Sequence, residues 1–165
     1  MTSYSLRLAT PGDAAAICEI YNQGITDRVA TLETELRTPE ERTQWLTSRA
    51  ARHPVVVADD HGTVVAWGSL NPYSPREAYR FVADFSVYVE RAYRGKGAGS
   101  AVLTRLTELA REHGYHKLVL SAFPTNSSGM ALYTKQGFRT VGIFKEQGML
   151  DGKWVDTIIM EKLLS

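Results

Sequence analysis

The segment Ser86-Val87-Tyr88-Val89-Glu90-Arg91-Ala92-Tyr93-Arg94-Gly95-Lys96-Gly97-Ala98-Gly99 decides the fold of this chain. It begins as a strand, passes through three alternating glycines and continues into a helix with an apolar stripe over residues 102–110. Glycines let main-chain N–H groups converge without a Cβ in the way, and a helix start adds unpaired N–H groups and a positive dipole end. Arg94 and Lys96 add positive charge. The segment therefore predicts a strand–loop–helix unit that holds a diphosphate.

Three other interpretations of the glycine loop are weaker. A P-loop requires Ser or Thr after its lysine, but Lys96 is followed by Gly97. A Rossmann dinucleotide site requires an acidic residue about 20 positions further on, and the segment 118–121 has none there. The third alternative is a glycine-rich turn that binds no ligand, but such a turn does not require three glycines after an arginine.

Hydrophobic periodicity and turn residues give the order of elements around this unit. The order is strand, two helices, three strands, helix, strand, helix and two strands, which predicts a mixed α/β sheet with one parallel pair and helices covering it. Asp13 is the expected cap of the first helix and Thr38 of the second, which should run to about Arg52. The predicted strands cover residues 4–9, 55–58, 64–70, 79–89, 118–120, 138–144 and 154–160, and the later helices begin near residues 98 and 126.

Length and composition limit which kinds of protein this chain can be. The 165 residues suit one domain over 1–165, and 19 basic against 18 acidic residues give a net charge of +1, which does not favour nucleic-acid binding. Cys18 is the single cysteine, so no intrachain disulfide is possible. The sequence contains neither the apolar block of a signal peptide nor a membrane-span-length apolar run, which predicts a cytoplasmic protein without a membrane partner. The four histidines have no metal-ligand spacing, so no metal is expected.

Two blocks of sequence resemble a known superfamily. The pattern Arg94-x-x-Gly97-x-Gly99 after a Val-Tyr-Val strand resembles the acetyl-CoA diphosphate loop of the GNAT acetyltransferases. The downstream residues Asn126, Leu132-Tyr133 and Gly137-Phe138 are similar to that superfamily's second block. The resemblance implies the GNAT fold, with a mostly antiparallel sheet, a splayed parallel pair and acetyl-CoA as co-substrate.

Within that superfamily the chain most resembles the phosphinothricin and methionine sulfoximine N-acetyltransferases. The matching residues are Ile20-Tyr21-Asn22, Thr31 to Glu35, Trp45, Val65-Ala66-Trp67, Arg76-x-Ala-Tyr79, Ser86 to Val89 and Asp151-Gly152-Lys153-Trp154-x-Asp156. The implied reaction is transfer of an acetyl group to the primary amine of a small amino-acid-like acceptor. The alternatives are a protein N-terminal or polyamine acetyltransferase and an inactive CoA-binding sensor.

The resemblance also implies which residues contact the coenzyme. The exposed amides of strand residues would bind the pantetheine arm, the glycine loop would bind the diphosphate, and Asn126 would bind the arm as well as cap a helix. The implied set is Val87, Val89, Arg94, Gly95, Lys96, Gly97, Ala98, Gly99, Ser100, Asn126, Ser128 and Tyr133.

Amine attack on a thioester requires a base near the amine and an acid near the sulfur. The superfamily has a Glu at the position held here by Asp84, and the shorter side chain favours a water relay. Apolar neighbours should raise the pKa of this carboxyl. Tyr133 matches the superfamily's acid. The alternative role of Asp84 is a plain surface charge, and the alternative role of Tyr133 is packing against the sheet.

For the acceptor, Arg76 suits a carboxylate or phosphinate, and Tyr79 and Glu33 are further candidates for acceptor contacts. Glu33 could instead meet a cationic group of the acceptor, either within one chain or from a second subunit. A solvated loop is the alternative placement for all three residues. Members of this group are commonly dimers, so the resemblance implies a homodimer.

Overall fold

A computed structural model describes residues 4–28 and 31–164. Four helices and seven strands follow in the predicted order. The strands are β1 Ser5–Leu8, β2 Val55–Asp60, β3 Thr63–Pro72, β4 Val82–Val89, β5 Lys117–Ala122, β6 Arg139–Leu150 and β7 Lys153–Leu163; the helices are α1 Ala14–Asp27, α2 Pro39–Thr47, α3 Ala98–Glu112 and α4 Ser127–Lys135.

The strands form one seven-stranded sheet in the order β1-β2-β3-β4-β5-β7-β6. Every neighbouring pair is antiparallel except β4 and β5, which are parallel. This is the mixed α/β architecture that the sequence predicted.

Helices cover both faces of the sheet, so each face has its own core. On one face α3 packs Val102, Leu103 and Leu106 against the sheet. Gly68 on β3 allows this close approach, because a Cβ there would lie 2.7 Å from Val102 and 2.8 Å from Leu106. On the other face α1 packs Ile17, Ile20, Tyr21 and Ile25 against Val55, Val57 and Trp67.

The parallel pair separates at Asp84. Its register runs from Val82–Lys117 to Asp84–Val119, whereas β4 continues to Val89 alongside β3 only. Beyond Asp84, β4 and β5 therefore form a fork, defined here as the gap between residues 85–89 of β4 and the end of β5. Such a splayed pair is what the resemblance implied.

Two predicted boundaries are wrong. The fourth strand begins at Val82 rather than Tyr79, because Glu77–Tyr79 forms a 3-10 turn closed by the Tyr79 N–H on the Arg76 carbonyl at 2.9 Å. Helix α2 ends at Thr47 rather than near Arg52. In the segment that follows, the Arg49 Nε bonds the His53 carbonyl at 2.9 Å, which stabilises a turn instead.

Asp13 does not cap α1 as predicted. Its carboxylate accepts from the Thr10 N–H at 2.8 Å and pairs with Arg7 at 2.8 Å, closing the 3-10 turn that precedes the helix. Thr38 does cap α2, since its side chain accepts from the Glu41 N–H at 3.2 Å.

Candidate functional site

The fork leaves main-chain groups of β4 available to a ligand. The Glu90 N–H donates to the Val65 carbonyl on β3, whereas the Phe81 carbonyl accepts from residues at the start of β5. Because main-chain direction alternates along a strand, the N–H and C=O groups of Val87 and Val89 point toward the fork. They can pair with an extended, amide-rich ligand as an added strand would.

A cavity of about 550 Å³ lies at this fork and is here called the fork cavity. It is lined by strand β4, the glycine loop and parts of helices α1, α3 and α4. The lining includes Val87, Val89, Arg94, Gly95, Gly97, Gly99, Ser100, Asn126, Ser128, Leu132 and Tyr133.

The glycine loop faces open space at the start of α3. Gly97 is the N-cap residue with φ of +87°, and a Cβ on Gly95 or Gly97 would meet nothing within 4 Å. The first N–H groups of α3 follow directly, and they carry the positive end of the helix dipole. This end of the cavity is suited to phosphate groups, so the residues fit the diphosphate of a coenzyme A.

Several polar side chains of the fork cavity already have protein partners. The Arg94 guanidinium pairs with Asp27 at 2.9 Å, and Asp27 also pairs with Arg91 at 2.8 Å. Gln136 donates to the Ser100 hydroxyl at 3.1 Å. Asn126 caps α4 through Oδ1, which accepts from the Gly129 N–H at 3.1 Å. The Asn126 Nδ2 donor is not used in that cap.

A second cavity of about 390 Å³, here called the aromatic cavity, lies on the α1–α2 face of the sheet. Its lining combines aromatic rings with charged and hydroxyl groups: Tyr21, Glu33, Arg37, Glu41, Arg42, Trp45, Trp67, Ser69, Asn71, Ser86 and Tyr88. Tyr88 also lines the fork cavity, so the two cavities adjoin at this residue.

Asp84 lies beside the aromatic cavity, at the base of the fork. It is opposite Asn71 in the β3–β4 register and two residues from Ser86, and both of those residues line the cavity. Asp84 itself is not part of the lining. Burial raises the pKa of the Asp84 carboxyl to about 6, against the lowering effect of the Asn71 amide. A carboxylate with this pKa is ionised at neutral pH and retains useful basicity.

Tyr133 reaches the fork cavity from α4 on the opposite face. Its ring packs edge-on against Phe85 at 6.0 Å and Phe138 at 6.2 Å between centroids. Burial raises the pKa of its phenol, so the hydroxyl is protonated at neutral pH and can donate.

Comparison with known proteins identifies the family. Residues 15–138 match the family described as "Acetyltransferase (GNAT) family". This chain belongs to the GNAT acetyltransferases.

Relatives of this GNAT protein match over almost its whole length. A methionine sulfoximine and methionine sulfone acetyltransferase of Salmonella typhimurium is 30% identical over 158 residues, which cover 95% of this chain and 92% of the relative. The crystal structure of a phosphinothricin acetyltransferase from Sinorhizobium meliloti, in complex with acetyl-CoA, is 32% identical with a TM-score of 0.90, covering 100% of this chain and 90% of the other. A ribosomal-protein-alanine N-acetyltransferase from Brucella melitensis is 36% identical with a TM-score of 0.92, covering 96% and 99%. The protein is therefore an acyltransferase that uses acetyl-CoA.

Some residues predicted for the GNAT site lie outside both cavities. Arg76 and Tyr79 are exposed on the 3-10 segment before β4, where Tyr79 packs edge-on against Tyr73. Ala98 is buried at the first turn of α3. The Lys96 N–H bonds the Tyr93 carbonyl at 3.3 Å rather than facing the cavity. Glu33 lines the aromatic cavity, as expected of an acceptor contact.

Glu33 is the one residue of the aromatic cavity that the sequence predicted as an acceptor contact, and the residues it missed include Arg42, Ser69, Asn71 and Tyr88. Trp67 is buried in the core and also lines this cavity. The alternation of β3 and β4 could have indicated that residues 67, 69 and 71 share a face with 84, 86 and 88. Nothing in the sequence marks Arg42.

Within residues 4–28 and 31–164, no helix has the length and apolar character needed to cross a membrane. Within the same residues, no group of three or more His, Cys, Asp or Glu side chains is placed to hold a metal ion.

Proposed function

We propose that this protein transfers the acetyl group of acetyl-CoA to the α-amine of a small amino-acid-like acceptor, with methionine sulfoximine and phosphinothricin as the compounds to test first. The observation that carries the proposal is the meeting of two cavities at Tyr88, with Asp84 at the base of the fork. The fork cavity takes the coenzyme and the aromatic cavity takes the acceptor.

In the proposed reaction Asp84 accepts a proton from the acceptor's ammonium group through a water molecule, leaving a neutral amine. The amine nitrogen attacks the carbonyl carbon of the thioester that acetyl-CoA supplies, so a C–N bond forms and the C–S bond breaks. The nitrogen loses its second proton to solvent. Tyr133 donates a proton, or a hydrogen bond, to the leaving thiolate.

The coenzyme contacts are those implied residues that line the fork cavity. Val87 and Val89 pair with the pantetheine arm, Asn126 and Ser128 line that arm, and the diphosphate is bound by Arg94, Gly95, Gly97, Gly99 and Ser100. Because Arg76 and Tyr79 are exposed, their contact with an acceptor would require the 3-10 segment to turn inward, whereas Glu33 already lies at the cavity.

A protein acceptor is the second candidate, since the Brucella melitensis relative is named for ribosomal-protein alanine. The aromatic cavity, at about 390 Å³, is suited in size to an amino acid rather than to a peptide chain. A polyamine is disfavoured by the arginines Arg37 and Arg42 in the lining.

Release of free CoA with a panel of amines tests the proposed function. The panel comprises L-methionine sulfoximine, L-phosphinothricin, L-methionine, spermidine and a peptide beginning with alanine, and mass spectrometry locates the acetyl group. Turnover of the amino-acid analogues at the α-amine is expected. Turnover restricted to the peptide or to spermidine would favour those acceptors, and CoA binding without turnover would make the protein a sensor.

We also propose that residues 1–165 form one domain and that the protein is a cytoplasmic homodimer. Strands β6 and β7 expose Val141, Phe144, Met149 and Trp154, each more than half exposed, at one edge of the sheet. An apolar edge of this kind is typical of an interface. Light scattering of Phe144→Glu is expected to show a monomer, whereas Leu8→Glu on the opposite edge strand should leave the dimer intact.

A further inference from the structure

Arg42 places a buried guanidinium in the aromatic cavity. The residue is 8% exposed on α2, and its Cζ lies 4.1 Å from the Tyr21 ring centroid and 4.7 Å from that of Trp45. Trp67 is the third ring nearby, at 5.7 Å. Three elements thus contribute rings around one cation, and these cation–π contacts fix its position.

The rings contact the flat guanidinium but provide no acceptor for its N–H donors, which lie at its edge. The Nε atom of Arg42 is fully buried and has no hydrogen-bond partner. The acids that share the cavity are paired elsewhere, because Arg37 binds Glu33 at 2.9 Å and Glu41 at 3.7 Å. Arg42 forms no ion pair with any residue in the described part of the chain. Burial lowers the pKa of its guanidinium, in line with this uncompensated charge.

An unpaired buried cation is costly, and an anionic ligand removes that cost. A guanidinium recognises a planar carboxylate through two parallel hydrogen bonds. We propose that Arg42 binds the α-carboxylate of the acceptor, a role that rests on the proposed function. With its carboxylate held at Arg42, an amino acid has its α-amine directed across the cavity toward Tyr88 and the fork.

This assignment differs from the sequence prediction that Arg76 recognises the acidic group. Arg76 is exposed and lines neither cavity. An exposed arginine loses little by remaining solvated, whereas Arg42 is already desolvated and oriented before the acceptor arrives. Because Arg42 is preorganised in this way, it favours acceptors that carry an α-carboxylate over those that lack one.

The test compares L-methionine sulfoximine with its carboxamide, which differs only in lacking the negative charge. For the wild type, kcat/KM is expected to be higher for L-methionine sulfoximine, the acid, than for its carboxamide. Arg42→Met should reduce the ratio of kcat/KM for acid over amide about tenfold or more, because hydrogen bonds to a charged group are lost. Arg42→Lys should retain part of it, since a lysine offers charge without the fork of donors.

Arg105→Met is the matched control, because Arg105 lies on the surface of α3 and pairs with Glu108 at 2.9 Å; its ratio should equal that of the wild type. The KM for acetyl-CoA should be unchanged in Arg42→Met. An unchanged acid preference in a folded Arg42→Met protein, or its loss in Arg76→Met alone, overturns the assignment. If Arg42→Met does not fold, an unchanged ratio in Arg42→Lys does the same. Failure of the wild type to acetylate any amino acid of the panel instead rejects the proposed function.

Discussion

Asn71 lies directly opposite Asp84 across the β3–β4 ladder. The Asn71 Oδ1 accepts from Arg49 Nη2 at 2.9 Å and from the Ser69 hydroxyl at 3.0 Å. Its Nδ2 donates to the Ser86 hydroxyl at 3.3 Å. Because two donors occupy Oδ1, the amide is held with its N–H groups directed toward β4. Asn71 is therefore oriented to stabilise the ionised form of Asp84, which partly offsets the effect of burial on the pKa.

Asp84→Asn is expected to lower kcat by about 100-fold or more, the usual scale of a lost general base. In the wild type, activity should rise with pH through about 6, where the Asp84 carboxyl loses its proton. The variant should lose that rise. Initial rates between pH 4.5 and 8 at saturating acetyl-CoA measure both effects.

Asn71→Ala provides the companion measurement. Loss of the amide should raise the pKa of Asp84 and move the acid limb to higher pH. A wild-type profile that is flat between pH 5 and 7, or one that Asn71→Ala leaves unmoved, would exclude Asp84 as the titrating base.

The same carboxyl should make stability depend on pH. Its folded pKa of about 6 lies above the ordinary 3.8, so the contribution of Asp84 to stability is most favourable below about pH 4 and is lost as pH rises from there through 6. Asp84→Asn removes this loss and should stabilise the protein at pH 8 by at most about 3 kcal/mol. For a chain of this size each kcal/mol raises Tm by about 2–4 °C. At pH 4 the two proteins should melt together, and an equal gain at both pH values would mean that packing rather than charge is responsible.

The fold was largely predictable because its signals are local. The glycine loop, the Thr38 cap and the Asn126 cap are each specified within a few residues, and all three occur as predicted. One boundary that failed depends on a distant partner. Helix α2 ends early where Arg49 reaches the Leu70 carbonyl on β3, a contact across 21 positions of sequence.

The coenzyme side of the site was predicted better than the acceptor side for the same reason. The diphosphate end of the fork cavity uses one contiguous loop, whereas the aromatic cavity assembles α1, α2, β3 and β4. Arg42 occurs in Pro39-Glu40-Glu41-Arg42-Thr43, which is typical of a solvated helix face. Only the packing of Tyr21, Trp45 and Trp67 around it makes this arginine a buried group.

Tyr133→Phe removes one hydroxyl and keeps the ring contacts with Phe85 and Phe138. We expect kcat to fall about tenfold to 100-fold while the KM for acetyl-CoA stays within about twofold, because the proton donor acts after binding. Stability should change by less than about 1 kcal/mol. Steady-state kinetics and thermal melts measure these quantities, and full activity in a folded variant would reduce Tyr133 to a packing residue.

Arg94 and Arg91 offer a matched pair for the diphosphate contact. Both pair with Asp27, but only Arg94 lines the fork cavity. Arg94→Met should weaken CoA binding about tenfold to 100-fold and reduce its salt dependence, because one charged hydrogen-bond donor to phosphate is lost. Arg91→Met should bind CoA nearly as the wild type does. Titration calorimetry at two salt concentrations distinguishes them, and equal losses would show that Asp27 pairing, rather than phosphate contact, is the common cause.

Gly97 and Gly152 form a second matched pair, because both have a positive φ, +87° and +77°, and both face open space. Alanine at either position should cost about 1 kcal/mol of folding free energy from backbone strain. Only Gly97 lies in the fork cavity, so only Gly97→Ala should also weaken CoA binding, since its methyl group occupies space next to the phosphates. Denaturant melts compare the strain and CoA titrations compare the affinity. Equal CoA affinity in the two variants would contradict the placement of the diphosphate at this loop.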